Sequence, residues 1–212
     1  MAAPRPSFLY LLIGFVSWPI VRFLYRVRWH DRGNVPRSGG AVLASNHVSN
    51  FDPWPLSLGI FPGRFLHYMA KQELFRPPLG WVLRSCGCFP VDRANPGRDA
   101  LATPIRLCRE GGVVVMFPEG TRRAKGMRKT REAQPHSGAA RIALRAGVPL
   151  VPVAVAGTDR LARLGPLAVA YGRPLELDDL AALPRREAAE VATERLMAAI
   201  AELEQSLGAP AG

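Results

Sequence analysis

Short valine-rich apolar runs alternate with helical patterns along most of this chain, and glycines separate the two. One helical pattern ends at Gly111-Gly112 and leads into the run Val113–Phe117. Another, Ser137–Ala146, ends at Gly147 and leads into Leu150–Ala154. Glycine ends helices because it adopts positive φ angles readily, whereas valine favours strands. This order predicts an α/β fold with a largely parallel central sheet flanked by helices.

The same patterns predict further elements along the rest of the chain. The predicted strands are Tyr25–His30, Ala41–Ser45, Arg64–Met69, Val113–Phe117, Leu150–Ala154 and Leu167–Tyr171. The predicted helices are one that begins after Asp52, then Leu79–Ser85, Gly97–Arg109, Ser137–Ala146 and Arg185–Leu207. In parallel α/β sheets ligands bind where strands end and helices begin, so these junctions are where chemistry is expected.

The N-terminus carries an apolar run, Phe8–Val21, without a charged residue. The run is shorter than the roughly 20 residues that a spanning helix needs, and arginines follow it. Pro19 predicts a short helix to about Ser17, a bend, and a second short piece to about Tyr25. We expect residues 1–24 to form a helical anchor in one membrane leaflet and residues 25–212 to form the α/β domain. Packing on the protein's own core and a true span are the alternatives.

The composition narrows the function classes. Hydrophobic residues make up 48% and charged residues 21%, which is typical of a globular protein and excludes a disordered one. The net charge of +11 favours an anionic partner. Three cysteines exclude a disulfide scaffold, and the four histidines lack metal-site spacing, so no metal is predicted. The arginines are scattered rather than clustered on one helix, which argues against nucleic acid as the partner.

The string NHVSNFD, Asn46 to Asp52, directly follows the predicted strand AVLAS. His47 therefore lies at a strand end, and Asp52 precedes Pro53 as a helix N-cap would. If the chain turns between them, the aspartate can fix the imidazole tautomer and leave the other ring nitrogen free to accept a proton from a hydroxyl. The alternatives are a plain helix cap for Asp52 and a polar loop role for His47.

Three further strings place basic residues at strand ends. VVVMFPEGTRR presents Arg122 and Arg123 after a buried strand, FPVDR presents Arg93, and Lys71 follows another strand. Guanidinium groups beside free backbone N–H groups form a phosphate site, although a solvated surface turn is the alternative. Neither a nucleotide P-loop nor a G-x-S-x-G elbow is present.

The order NHVSNFD, MAKQELF, FPVDR, FPEGTR and VPLVPV resembles the glycerolipid acyltransferase family, in particular its bacterial 1-acyl-glycerol-3-phosphate acyltransferases, over roughly Tyr25 to Gly157. The resemblance implies that His47 and Asp52 form a catalytic dyad. It also implies an acyl-donor region at Pro152 and acceptor contacts by Lys71, Arg93, Glu119, Gly120, Thr121 and Arg122.

By this resemblance, the protein transfers an acyl group from acyl-CoA or acyl carrier protein to the free hydroxyl of 1-acyl-sn-glycerol-3-phosphate, giving phosphatidic acid for phospholipid synthesis. It needs no cofactor other than the acyl donor. The expected partners are the lysophospholipid, the acyl thioester and anionic lipids at the cytoplasmic face of the cell membrane, where the protein is peripheral or monotopic. The alternatives are another acceptor, such as glycerol-3-phosphate or a different lysolipid, and a non-catalytic basic module that binds membranes.

Overall fold

A computed structural model of the protein describes residues 5–91, 100–119 and 135–208. Within these residues, the strands form one sheet that has helices on both faces. The strands are β1 (Arg28–His30), β2 (Ala41–Ser45), β3 (Leu66–Lys71), β4 (Cys88–Val91), β5 (Val113–Met116), β6 (Leu150–Ala156) and β7 (Ala168–Tyr171). The helices are α1 (Phe8–Pro19), α2 (Pro53–Ile60), α3 (Leu79–Ser85), α4 (Ala102–Arg109), α5 (Gly138–Ala146) and α6 (Arg185–Ser206).

The sheet is mixed but largely parallel, with the strand order β1-β7-β6-β2-β5-β3-β4. β2 lies in the middle and pairs in parallel with both β5 and β6. β7 runs antiparallel to β6, because the connection between them contains only the short 3₁₀ segment Thr158–Arg163 and no crossover α-helix. The carboxyl ends of β2 to β6 therefore meet at one edge of the sheet, as the sequence predicted.

The central strand β2 is buried on both faces, which explains why its sequence is continuously apolar. Val42 and Ala44 pack into a cluster with α4, α5 and α6. Ala41 and Leu43 belong to a second cluster, with residues of α2 and β7 on the opposite face. This burial fixes the register of β2 and hence the position of the polar residues that follow it.

Three elements differ from the sequence predictions. α1 extends to Pro19 rather than ending near Ser17, and the second piece predicted to about Tyr25 is a π-helical turn, Ile20–Leu24, in which the N–H of Tyr25 donates to Ile20 O at 3.3 Å. β4 had no predicted bounds, although the string FPVDR was expected to mark the end of a strand. α4 begins at Ala102, and the predicted start at Gly97 lies outside the described residues.

The N-terminal anchor remains a prediction. α1 has 12 residues, a length of about 18 Å. Nowhere in the described part of the chain is there a helix with both the length and the apolar character needed to cross a membrane.

Candidate active site

The predicted contact between His47 and Asp52 is present at the carboxyl end of β2. β2 ends at Ser45 and α2 begins at Pro53, so the intervening loop turns the two side chains toward each other. His47 Nδ1 lies 2.8 Å from Asp52 Oδ2. The Asp52 side chain is fully buried, whereas 17% of the His47 side chain remains exposed. A buried carboxylate that accepts from Nδ1 leaves Nε2 with its lone pair, which is the arrangement that a general base needs.

Asp52 is a loop organiser rather than a plain helix cap. Its Oδ2 also accepts from the backbone N–H groups of Val48 at 2.8 Å and Ser49 at 2.9 Å, and its Oδ1 accepts from Thr158 Oγ1. Its side chain makes no capping bond to α2. The first helical residue is Pro53, which has no N–H to offer. The helix-cap alternative for this side chain is therefore wrong, and the four donors around it offset the cost of burying its charge.

Phe117 stacks on the His47 ring. The two ring centroids are 4.2 Å apart and the planes are inclined by 22°. Phe117 directly follows β5, which neighbours β2 in the sheet. The phenyl ring covers one face of the imidazole and limits tilting of the His47 ring. The contact with Asp52 limits rotation of the same ring.

Asn46 ties the loop to β6 and to the last helix. Its Oδ1 accepts from Val155 N at 2.8 Å, and its Nδ2 donates to Val155 O at 2.9 Å. The same Nδ2 lies 2.6 Å from Oε1 of Glu204, which belongs to α6. Asn46 is almost fully buried, so these bonds form in a low-dielectric environment. They fix the residue directly before the imidazole.

Two buried tyrosines hold α2, and with it the helical side of the loop, against the sheet. The hydroxyl of Tyr68 donates to Pro53 O at 3.2 Å, and that of Tyr171 donates to Leu56 O at 2.7 Å. Burial raises the pKa of both phenols, so both stay protonated as donors across the physiological pH range.

The site contains residues that the sequence analysis did not predict, and two of them, Thr158 and Glu204, are distant from the dyad in the chain. Asn46 belongs to the string NHVSNFD, but no role was predicted for it. Thr158 directly follows the run VPVAVAG, and its signal was its position at a strand end next to β2. Phe117 likewise follows the end of a strand, β5, that neighbours β2. Nothing in the sequence near Glu204 indicates a contact with the loop.

The predicted acceptor-binding residues lie at the same sheet edge where the structure describes them. Lys71 is the exposed last residue of β3 and is in register with Val91, the last residue of β4. Glu119 is buried, two residues past Phe117. Arg93, Gly120, Thr121 and Arg122 lie outside the described residues. The acceptor roles of all six remain predictions.

Pro152, predicted to mark the acyl-donor region, lies within β6 rather than at its end. It is in register with Ala44 of β2. A Cβ built on Gly172 would lie 2.7 Å from Pro152 Cγ. The proline therefore packs closely against Gly172, where a larger residue would clash. Its proposed role remains a prediction.

The geometry defines a general class. A histidine whose Nδ1 contacts a buried aspartate at the carboxyl edge of an α/β sheet has the arrangement that general-base activation of a hydroxyl requires.

Comparisons with known proteins agree with this class and narrow it. The acyltransferase family model matches residues 26–156. The chain is 38% identical over 185 residues to the 1-acyl-sn-glycerol-3-phosphate acyltransferase of Bacillus subtilis (strain 168), covering 85% of this chain and 89% of that relative. It is 30% identical over 158 residues to the enzyme of the same name from Streptococcus pneumoniae, covering 72% of this chain and 56% of the relative. The chain belongs to the acyltransferase family.

A solved structure has the same fold. The crystal structure of the 1-acyl-sn-glycerophosphate acyltransferase PlsC from Thermotoga maritima aligns with a TM-score of 0.64 and 24% sequence identity, covering 92% of this chain and 78% of that one. At this identity the likeness supports the α/β architecture and nothing finer.

Proposed function

We propose that the protein transfers a fatty acyl group from a thioester to the free hydroxyl of 1-acyl-sn-glycerol-3-phosphate and so produces phosphatidic acid for phospholipid synthesis. The observation that carries this proposal is the 2.8 Å contact between His47 Nδ1 and Asp52 Oδ2 at the sheet edge. Relatives that bear the name of this activity match most of the chain, which supports the choice of substrate.

The dyad accounts for the chemistry without a covalent acyl-enzyme. The hydroxyl oxygen attacks the thioester carbonyl while His47 Nε2 removes its proton, and Asp52 stabilises the resulting imidazolium. The tetrahedral intermediate then expels the thiolate, which accepts from His47 the proton that came from the acceptor hydroxyl. An ester and a free thiol are the products, so atoms and charges balance.

The oxyanion of the intermediate needs donors other than the two loop N–H groups nearest the dyad. The N–H groups of Val48 and Ser49 both donate to Asp52. Backbone donors at the neighbouring strand ends are therefore the candidates for stabilising the oxyanion.

The acceptor phosphate is assigned to Lys71, Arg93 and Arg122, with Glu119, Gly120 and Thr121 completing the acceptor motif. Lys71 supports this assignment because it is exposed at the carboxyl end of β3, beside the end of β4 that leads to Arg93. Binding the phosphate orients the hydroxyl toward the imidazole. The donor is acyl-CoA or acyl carrier protein, bound near the strand that contains Pro152.

The protein is proposed to work at the cytoplasmic face of the membrane, held there by the apolar N-terminal segment. Anionic lipids suit the net charge of +11. Basic residues near such a surface each contribute about 1 kcal/mol of attraction.

Release of free thiol from acyl-CoA in the presence of 1-acyl-sn-glycerol-3-phosphate, measured with a thiol-reactive dye, tests the activity directly. The wild type should release thiol only when the acceptor is present. His47→Ala should abolish release while its circular dichroism and melting temperature stay unchanged, and retained turnover would contradict the dyad. A panel of acceptors, each assayed with acyl-CoA and with acyl carrier protein, identifies the acceptor and the donor. If no acceptor supports thiol release, the protein is a non-catalytic membrane-binding module.

The phosphate role has a separate test. Arg122→Ala should raise KM for the phosphate-bearing acceptor and leave a phosphate-free acyl-glycerol acceptor unaffected. If both acceptors suffer equally, Arg122 does not bind the phosphate.

A further inference from the structure

α1 is apolar on all sides, but among the described residues only one of its sides is covered by protein. Tyr10, Gly14 and Ser17 face the body of the protein and are buried. On the other side, 81% of Phe8 is exposed, and Phe15 is largely exposed as well. A helix that is apolar all round requires an apolar environment on every side. The side of α1 that the described residues leave uncovered therefore requires an apolar environment.

The exposed side of α1 is held in a fixed position on the protein. Ser7 Oγ donates to Ser85 O, at the end of α3, at 3.0 Å. The rings of Tyr10 and Phe65 meet edge to face with their centroids 4.7 Å apart. A Cβ built on Gly14 would lie 2.3 Å from a carbon of the Phe61 ring, so the helix packs directly on that ring. These contacts hold α1 with Phe8 and Phe15 facing away from the body of the protein.

α3, the neighbour of α1, repeats this pattern. Three of its seven residues are large, apolar and exposed: Leu79, Val82 and Trp81, the last of which is 67% exposed. A tryptophan this exposed on a soluble surface is unusual, whereas tryptophan is enriched at the water interface of membranes. We define the apolar surface as the exposed side chains Phe8, Phe15 and Phe23 together with Leu79, Trp81 and Val82.

Arginines border the apolar surface and contact aromatic rings. The guanidinium of Arg22 lies 5.9 Å from the centroid of the Phe23 ring, and that of Arg84 lies 4.9 Å from the centroid of Phe75. Neither α1 nor α3 has an acidic residue in its first turn. Cations beside apolar rings match the boundary between acyl chains and anionic headgroups.

The N-terminal part of the apolar surface is connected to the catalytic loop. Tyr25, just past the π-helical turn, contacts Trp54 of α2, with ring centroids 5.8 Å apart. Trp29 Nε1 donates to Pro55 O at 2.9 Å. α2 begins directly after Asp52, and the preceding residue, Phe51, is 54% exposed. The N-terminal part of the apolar surface therefore packs against α2, the helix that begins directly after Asp52.

We infer that α1 and α3 together form one surface that lies on a leaflet of an anionic phospholipid bilayer, with Trp81 inserted at the level of the headgroups. Membrane contact is therefore not confined to the N-terminal segment, since α3 lies between β3 and β4, inside the α/β domain. This inference rests on the proposed function only in that it requires an acceptor that resides in the membrane.

The test uses the full-length protein and sedimentation with sucrose-loaded vesicles of phosphatidylcholine and phosphatidylglycerol. The double variant L79S/W81S should partition into vesicles at least about tenfold less than the wild type, because two large apolar side chains no longer leave water. Leu164→Ser is the matched control, since Leu164 is 45% exposed on the segment between β6 and β7, and it should partition like the wild type. Melting temperatures of all three proteins should agree.

A second readout reports on Trp81 directly. Lipids brominated on their acyl chains should quench the tryptophan fluorescence of the wild type, and Trp81→Phe should lose much of that quenching. Unchanged partition of L79S/W81S together with unchanged quenching in Trp81→Phe would overturn the inference.

Two controls distinguish lipid binding from dimerisation and from a loss of catalysis. If the lipid-free wild type is a dimer that L79S/W81S dissociates while vesicle binding persists, the occupant of the surface is a second copy of the chain, and the inference fails. Thiol release with a water-soluble, short-chain acceptor should be equal in L79S/W81S and the wild type. Loss of this activity in both proteins would instead contradict the proposed function, so the two failures are distinguishable.

Discussion

The proposed catalytic edge, where the sheet carries His47 and Asp52, and the apolar surface of α1 and α3 each reverse the usual distribution of residues in a folded protein. The edge buries polar groups, among them Asn46, Asp52 and Thr158, whereas the surface exposes large apolar side chains such as Phe8 and Trp81. Buried polar groups and exposed apolar patches are the observations that carry information about function. At the edge, the partners of the buried groups are inside the protein. At the surface, the described residues supply no partner, and we propose that lipid does.

The largest expected effect in this comparison is at the buried carboxylate. Asp52→Asn keeps the size of the side chain but removes the charge that stabilises the imidazolium. We expect kcat to fall on the order of 10³-fold or more, with the vesicle partition unchanged. Single-turnover acyl transfer measures the effect. Asp179→Asn, at an exposed aspartate paired with Arg195, is the matched control and should retain full activity. Near-normal turnover in Asp52→Asn would show that the dyad is not the catalytic device.

A large effect on stability is expected at Asn46. Asn46→Ala leaves the N–H and C=O of Val155 without their side-chain partner inside the protein. The free energy of unfolding should fall by about 3 kcal/mol, because unsatisfied buried groups cost about 1–3 kcal/mol each. Denaturant titration of the two proteins measures this loss. A loss below about 1 kcal/mol would mean that water replaces the amide and that the loop is not held as tightly as the contacts indicate.

The distances along the chain explain which parts of the site the sequence could predict. His47 and Asp52 are five residues apart and bracket a strand-to-helix junction, so local pattern was sufficient to pair them. Thr158 is 106 residues from its partner and Glu204 is 158 residues from Asn46, and these contacts exist only because β6 and α6 pack beside β2. Single-sequence patterns carry no information on such pairs.

The fold shows the same division between local and long-range information. α3 and β2 have the predicted boundaries, because continuous apolar or periodic patterns determine them. The string FPVDR indicated a strand end, but the bounds of β4 were not predicted because its four residues include Pro90 and are too few to form a pattern. The antiparallel direction of β7 depends on its pairing with β6, which its own residues do not specify.

Thr158 is expected to be a positioning residue, with a smaller effect on the reaction than the dyad. Thr158→Val keeps the shape but removes the hydroxyl that donates to Asp52 Oδ1. A hydrogen bond to a charged group contributes about 1.5–3 kcal/mol, so kcat should fall roughly 10- to 100-fold while KM changes little. Steady-state kinetics of Thr158→Val and Thr158→Ser check this, because the serine retains the donor and should restore most of the rate. Equal rates in both variants, or a change in KM alone, would remove Thr158 from the site.

The smallest expected effect is on the free energy of unfolding, and it compares a buried hydroxyl beneath the apolar surface with one near the dyad. The hydroxyl of Tyr10, on the buried side of α1, has no hydrogen-bond partner within the described ranges, and burial raises its pKa to about 12. Tyr10→Phe removes a buried hydroxyl that gains no hydrogen bond on folding, so the free energy of unfolding should stay unchanged or rise by up to about 1 kcal/mol. Tyr171→Phe removes a hydroxyl that donates to Leu56 O and should cost about 1 kcal/mol. Thermal or denaturant unfolding of the pair measures both. If Tyr10→Phe cost as much as Tyr171→Phe, the first hydroxyl would have a partner in the folded protein. The polar groups beneath the apolar surface would then have hydrogen-bond partners as those at the catalytic edge do. The two regions would differ only in the side chains that they expose to solvent.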